Sequence, residues 1–237
     1  MGHVLDSYQL LLRGAGITIQ LTLYGSALAA VLALVFGLAG TARNPALRAL
    51  NRVYVEFFRG TATLVLMFWF FYALPLVGLR FTTIFAAVLA LGLNVGAYGA
   101  EVVRGAINAV PKAQYEATVA LNFTPAQRMR RVLLPQAVAL MLPPFGNLLI
   151  ELMKGTALVS LITISDLTFR AKQIQSSTGE TFWTYTTILV LYFIIAQFLQ
   201  LFVRYAERRV DRMLGRTPSR EQSLATVSAS APGSGVM

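Results

Sequence analysis

Residues 101–135 read E-V-V-R-G-A-I-N-A-V-P-K-A-Q-Y-E-A-T-V-A-L-N-F-T-P-A-Q-R-M-R-R-V-L-L-P. The segment is polar and basic, and strongly apolar segments flank it on both sides. Its middle has the grammar of two short helices joined by a turn. Pro111 suits the first turn of a helix, where no amide donor is needed. Lys112 to Leu121 then offers good helix formers and no breaker. Asn122 stands where that helix should stop, and asparagine tolerates the left-handed conformation such a stop often needs. Thr124-Pro125-Ala126-Gln127 restarts the helix. Thr124 can cap it, Pro125 can be its first residue, and Gln127 can close a capping box. Leu134-Pro135 ends the unit and opens the next apolar run. Taken by itself, the pattern reads as a helical hairpin between two membrane spans.

The flanks set the class. Of 237 residues, 56% are hydrophobic and 13% charged, against about 25% charged in a soluble domain. Apolar runs approach the roughly 20 residues that a helix needs to cross about 30 Å of hydrocarbon. The chain is therefore expected to be all-α and polytopic, with about five transmembrane helices and no room for a large soluble domain. A net charge of +10 could suggest nucleic acid. The basic residues lie in the loops between spans, however, which is a positive-inside pattern, and no nucleic-acid partner is expected. There is no cysteine, so disulfide and thiolate chemistry are excluded. The one histidine, His3, sits near the terminus and is read as incidental.

Working outward, residues 1–16 form a short mixed segment. The apolar stretch behind it is about 24 residues, too long for a signal-peptide core of roughly 7–15. The first span is expected over Ile17–Gly40, with Gln20 and the neighbouring threonines facing protein. The second runs from about Thr61 to Leu79, entered through Tyr54–Gly60 and broken near its far end by Pro75. The third covers Phe81–Ala100, and Asn94, Gly96, Tyr98 and Gly99 make its end more polar than lipid favours. Glu101 and Arg104 share a helix face, where they either pair or serve a cavity or gate. The fourth span begins near Gln136, and Pro143-Pro144 should bend or interrupt it. Such a break is tolerated only against protein or a water-filled cavity. Glu151 and Lys154 follow in an apolar setting, where ionisable residues are costly. They form either a self-neutralising pair or a polar site at a cavity wall, able to meet an ammonium and a carboxylate. Residues 169–181 read as a polar outer loop, and Phe182–Phe202 as the fifth span. Arg204, Arg208, Arg209 and Arg212 then suit anionic headgroups. The tail, 211–237, is expected to be disordered.

Placing the hairpin in the cytoplasm puts 15 of the 20 basic residues on the inner side. That asymmetry predicts an outer N-terminus and an inner C-terminus.

Several ordered motifs carry a resemblance across roughly residues 8–210. Glu116-Ala117-Thr118-Val119-Ala120-Leu121-Asn122, followed by Leu133-Leu134-Pro135-Gln136-Ala137, resembles the cytoplasmic coupling loop of ABC importer permeases. Thr118 and Asn122 stand there for the family's second Ala and its Gly. Gly16 to Leu23, Tyr54 to Thr61, Gly96 to Glu101 and Val110 to Gln114 resemble further signatures of polar amino-acid permeases of the histidine/glutamine/arginine class. Ala62 and Ala113 depart from the family's Pro and Gly. Lys154-Gly155-Thr156-Ala157-Leu158 resembles Lys-Asp-Thr-Ser-Leu, having lost a carboxylate and a hydroxyl.

The resemblance implies a type I importer permease with a transmembrane domain over 17–210 and a coupling loop over 105–135. It implies a bacterial inner-membrane location, a second permease subunit, identical or homologous, and a pair of ABC ATPase subunits. An extracytoplasmic substrate-binding protein would deliver a small polar solute. Lys112, Gln114, Glu116, Ala117, Asn122 and Pro135 would couple to the ATPase. Thr61, Glu101, Glu151, Lys154 and Thr156 would line the substrate pathway. No Gly-x-x-x-x-Gly-Lys-Ser/Thr loop is present, so ATP and Mg²⁺ are expected on the partner, with no cofactor and no catalytic residue here. A membrane-embedded enzyme would need a nucleophile, a metal cluster or a proton relay, and the spans offer no Cys, no usable His and no spaced carboxylate set. A stand-alone secondary transporter or channel is the alternative reading, although no inverted repeat is visible.

Overall fold

A computed structural model describes residues 8–213, and the described residues are helical almost throughout. Residues 1–7 of the expected outer N-terminal segment, and the expected disordered tail from residue 214 onward, lie outside them. Helix α1, Tyr8–Thr41, is about 50 Å long at 1.5 Å per residue, and it begins inside the short mixed segment expected over residues 1–16. Thr18 and Thr22 are buried as expected, but Gln20 is exposed and reaches the Tyr24 hydroxyl instead.

Helix α2, Pro45–Gly60, stands where a basic loop was expected. Asn44 caps it, accepting from the Ala46 amide at 2.9 Å. Its axis lies 97° from the span that follows. The signal was present, since Leu47, Leu50, Tyr54 and Phe57 recur at helical spacing. The arginines between them masked it. The second span is short and changes type twice: α3, Thr63–Phe68, then a π turn, Trp69–Ala73, then a 3₁₀ turn, Leu74–Val77, closing on Gly78 at φ 89°.

Helix α4, Thr83–Asn108, carries the third span past Ala100, so Glu101 and Arg104 belong to it. It is the central helix, with 61% of its apolar stretch buried against 6% for the last helix. It packs on α1 through small residues. A Cβ at Gly92 would stand 2.6 Å from Leu28, and one at Gly99 would stand 2.7 Å from Ala33. Such close backbones are how helices associate where no hydrophobic force separates protein from lipid.

The hairpin follows as α5, Lys112–Ala120, and α6, Pro125–Arg128. Pro111 is the residue before α5 rather than its first residue. The hairpin does not end at Leu134-Pro135. A π turn, Met129–Leu133, leads without a stop into α7, Leu134–Gly155. Two Leu-Pro steps are built alike here. Before Pro75 the Leu74 amide reaches back five residues to the Trp69 carbonyl, and before Pro135 the Leu134 amide reaches the Met129 carbonyl. A proline ring clashes with the carbonyl four residues back, and a widened turn just ahead of it relieves the clash.

Pro143 and Pro144 do not interrupt α7. The helix passes through them and gives way later, to a 3₁₀ stretch, Thr156–Ile162, that closes on Thr163 at φ 67°. Each proline removes one helical bond, and the intact turns on either side hold the remainder. The outer loop contains a helix, α8, Leu167–Thr178. Helix α9, Thr181–Met213, completes the bundle. Among the described residues, four helices are long and apolar enough to span, or five spans with the bent α2–α3 pair.

Candidate functional site

The hairpin is fixed by its own sequence. Asn122 takes φ 54°, the left-handed region foreseen for it. The Phe123 amide donates to the Thr118 carbonyl at 3.0 Å, and the Asn122 amide donates to the Val119 carbonyl at 2.9 Å. Together these two bonds make a complete Schellman closure. The capping box is also complete. The Gln127 amide donates to Thr124 Oγ1 at 3.3 Å, and the Thr124 amide donates to Gln127 Oε1 at 3.0 Å. Sequence reasoning missed the brace between the arms. The Arg128 guanidinium lies 4.3 Å from the centre of the Tyr115 ring, and its Nη2 donates to the Phe123 carbonyl at 3.3 Å.

This leaves α5 as a rigid peg. Lys112, Gln114, Glu116, Ala117, Asn122 and Pro135 are all exposed. Among them only Gln114 has a side-chain hydrogen bond within the described residues, accepting from Gln136 at 3.3 Å. Tyr115, Val119 and Leu121 add exposed apolar surface. An exposed short helix with apolar and charged side chains on one surface suits a groove on another protein. In chain order the peg lies between the spans α4 and α7.

The five pathway residues do not come together in one place. Glu151 and Lys154 line one groove of about 550 Å³ between α7 and α9, with Asn147, Tyr192, Gln197 and Gln200. Both are exposed, and among the described residues no ion pair joins them. The self-neutralising pair is therefore absent, and an anionic and a cationic group face the same groove. Thr156 is fully buried, and its hydroxyl donates to the Met153 carbonyl at 2.6 Å. Thr61 sits at the α2–α3 bend, donating to the Phe57 carbonyl at 2.8 Å. Glu101 is elsewhere, held bidentately by Arg104 at 3.0 and 2.6 Å.

Two polar locks position these elements. At the bend, the buried Asn94 amide donates to the Phe58 and Thr61 carbonyls at 2.7 and 3.2 Å. The Tyr54 hydroxyl donates to the Leu93 carbonyl at 2.9 Å. At the opposite end, the fully buried Asp166 caps α8, accepting from the Phe169 and Thr168 amides at 2.9 and 3.1 Å. The Tyr192 hydroxyl also donates to it at 3.3 Å. Burial pushes the Asp166 carboxyl above the ordinary carboxylate range, while those hydrogen bonds pull it back. Thr18 Oγ1 accepts from the Leu167 amide at 3.3 Å, tying α1 to the same point. Asn94 was visible as a polar residue in an apolar run, but its partners were not, because they lie on another helix. For Asp166 the capped amides are local, and only the Tyr192 hydroxyl comes from another helix.

This arrangement of a peg below a helical bundle matches known proteins. Residues 14–212 match the family described as binding-protein-dependent transport system inner membrane component. The chain belongs to that family. It is similar to y4tF of Sinorhizobium fredii, named a probable amino-acid ABC transporter permease protein. Identity is 48% over 209 residues, covering 86% of this chain and 88% of that one. It is 36% identical over 200 residues to the L-cystine transport system permease protein TcyB of Bacillus subtilis, covering 84% and 86%.

Among solved structures, an amino acid ABC transporter with histidines superposes with TM-score 0.81 at 33% identity, covering 86% of this chain and 96% of that one. An inward-facing methionine ABC transporter, MetNI, gives TM-score 0.73 at 25% identity, covering 86% and 98%. The type I importer permease fold expected from the sequence is the one observed. This family member is an inner-membrane component of an ABC transporter.

Proposed function

We propose that the chain carries an amino acid or related small polar solute into the cytoplasm by alternating access, driven by ATP hydrolysis on separate ATPase subunits. The observation that carries this reading is the peg: a short, capped, braced helix, exposed on nearly every side and joined directly to two spans. In this reading Glu116 and Ala117 enter a groove on the ATPase, and Lys112 and Gln114 flank them. Asn122 sets the turn, and Pro135 begins the helix that transmits the push. ATP and Mg²⁺ are held by the ATPase pair. The hairpin end then faces the cytoplasm, with the N-terminus outside and the C-terminus inside.

The solute meets the groove of Glu151 and Lys154. A carboxylate and an ammonium on one wall complement the two charges of an amino acid, and a few placed polar groups in a largely apolar cleft suit a small ligand. Thr61 and Thr156 act on the pathway through the backbones they hold, and Glu101 through its pair with Arg104. A second permease, identical or homologous, closes the pathway, and an extracytoplasmic binding protein delivers the solute.

The test is affinity capture of the detergent-solubilised chain from its native membrane, with and without Glu116→Arg. The expected result is an ATPase in the wild-type sample whose recovery falls roughly tenfold or more in the variant, with co-purifying permease revealing the second subunit. A chain that brings down no ATPase, yet moves solute alone in vesicles, would overturn the reading.

A further inference from the structure

Helix α2 presents three faces. One is packed inward: Asn51, Tyr54 and Val55 are buried, and the Tyr54 ring stacks on Phe36 with centroids 3.8 Å apart. A second is apolar and uncovered, with Leu47, Leu50, Val53 and Phe57 at 42%, 56%, 67% and 59% exposure. The third is cationic. Arg48, Arg52 and Arg59 recur along it, and together with Arg104, Glu101 and Asn51 they line a pocket of about 450 Å³.

The charge in this pocket is unbalanced. Arg104 is taken by Glu101. Among the described residues, Arg48, Arg52 and Arg59 have no carboxylate within 4.0 Å, although Glu56 lies on the same face. Arg59 rests over the Tyr98 ring at 4.9 Å. Asn51 Oδ1 is buried without a hydrogen-bond partner.

Geometry places the pocket at a membrane surface. Helix α2 lies 97° from the span it precedes, so it runs along the bilayer plane when that span crosses. Such a helix buries its apolar face at the acyl boundary and keeps its charged face among the headgroups. The pocket therefore opens at headgroup level, beside an apolar stripe that faces hydrocarbon.

We propose that this pocket binds the headgroup of an anionic phospholipid. Arg48, Arg52 and Arg59 hold its phosphodiester, and its acyl chains lie along Leu47, Leu50, Val53 and Phe57. Guanidinium groups suit a phosphate because they offer charge and paired donors together. A free phosphate would satisfy the charge but leave the apolar stripe uncovered. The site lies apart from the peg and from the Glu151–Lys154 groove, and it holds whichever solute is carried.

The experiment is native mass spectrometry of the full chain released from nanodiscs containing equal phosphatidylglycerol and phosphatidylcholine. It compares wild type with the double variant Arg48→Gln, Arg52→Gln. Wild type is expected to retain phosphatidylglycerol over phosphatidylcholine on the order of tenfold, and the variant to fall to near parity. A thermal scan in pure phosphatidylcholine separates site from fold, because both proteins should unfold alike there and only wild type should gain from phosphatidylglycerol.

Equal retention of both lipids by wild type, or an undiminished preference in the variant, would overturn the proposal. So would millimolar inorganic phosphate displacing the lipid, which would assign the pocket to a soluble anion. Loss of ATPase capture in the variant, with lipid preference intact, would assign it to the partner protein instead.

Discussion

Helices α2 and α5 both end short of crossing anything, and they are closed in opposite ways. The end of α5 is closed by the residues that follow it: Asn122 in the left-handed region, with the Asn122 and Phe123 amides returning to Val119 and Thr118. The end of α2 keeps one local bond, from Thr61 Oγ1 to the Phe57 carbonyl, and is otherwise closed from another helix. Asn94, 36 positions from Phe58 and 33 from Thr61, donates to both of their carbonyls. The first closure needs only a short run of chain. The second exists only once α4 has packed beside α2. The peg's shape therefore rests on its own residues, whereas the bend depends on how the spans are arranged. A part that transmits force should be locally rigid, and a part that redirects the chain should be held by the bundle it turns.

The largest predicted effect tests the long-range closure. Asn94→Leu keeps the volume and strands the Phe58 and Thr61 carbonyls. A buried polar group left unpaired costs roughly 1–3 kcal/mol, so a loss of about 2–4 kcal/mol is expected. It should appear as a lower unfolding midpoint of the purified chain, with faster amide exchange at the end of α2. Tyr54→Phe removes one hydroxyl from the same corner and should cost only about 1 kcal/mol. If the two variants behaved alike, Asn94 would not be what holds the bend.

The local closure should respond differently. Asn122→Val forces a branched side chain into a left-handed backbone, at a cost of about 1–2 kcal/mol. The expected loss is confined to the peg: amides of α5 exchange faster and ATPase capture weakens, while the unfolding midpoint of the bundle stays within error. Asn122→Gly, which takes positive φ freely, should leave both readouts unchanged. A global drop in midpoint for Asn122→Val would erase the distinction between the two ends.

The same distinction explains what could be read from the sequence. The peg, its turn and its capping box were legible because each rests on residues a few positions apart. The spans were legible because lipid imposes length and apolarity on each one separately. Helix α2 was not, since its arginines looked like loop. The prolines were legible unevenly. Pro75 was read as a break, and the span does turn 3₁₀ there; Pro143-Pro144 was read as a bend or interruption, and the helix runs on through it; and the π turns ahead of Leu74-Pro75 and Leu134-Pro135 are announced by no residue pattern. For the candidate site, Glu151 and Lys154 were found as charges in an apolar run. That they share a groove without pairing depends on α9, some forty residues downstream. Thr18 and Leu167, 149 positions apart, could be joined only in three dimensions.

The smallest effects lie within the capping box and refine the local side of the comparison. Thr124→Ala removes the acceptor for the Gln127 amide at the start of α6, and loss of such a cap costs about 1 kcal/mol. Gln127→Ala removes only the returning bond to the Thr124 amide, which is exposed and can turn to water, so about 0.5 kcal/mol is expected. Amide exchange across residues 122–128 should rank them in that order, with α5 itself little affected in either case, because its end is closed by Asn122 and its arm is braced by Arg128 on Tyr115. If either variant loosened α5 as much as it loosens α6, the two arms would be one cooperative unit rather than two separately closed helices, and the peg would owe its rigidity to the whole hairpin.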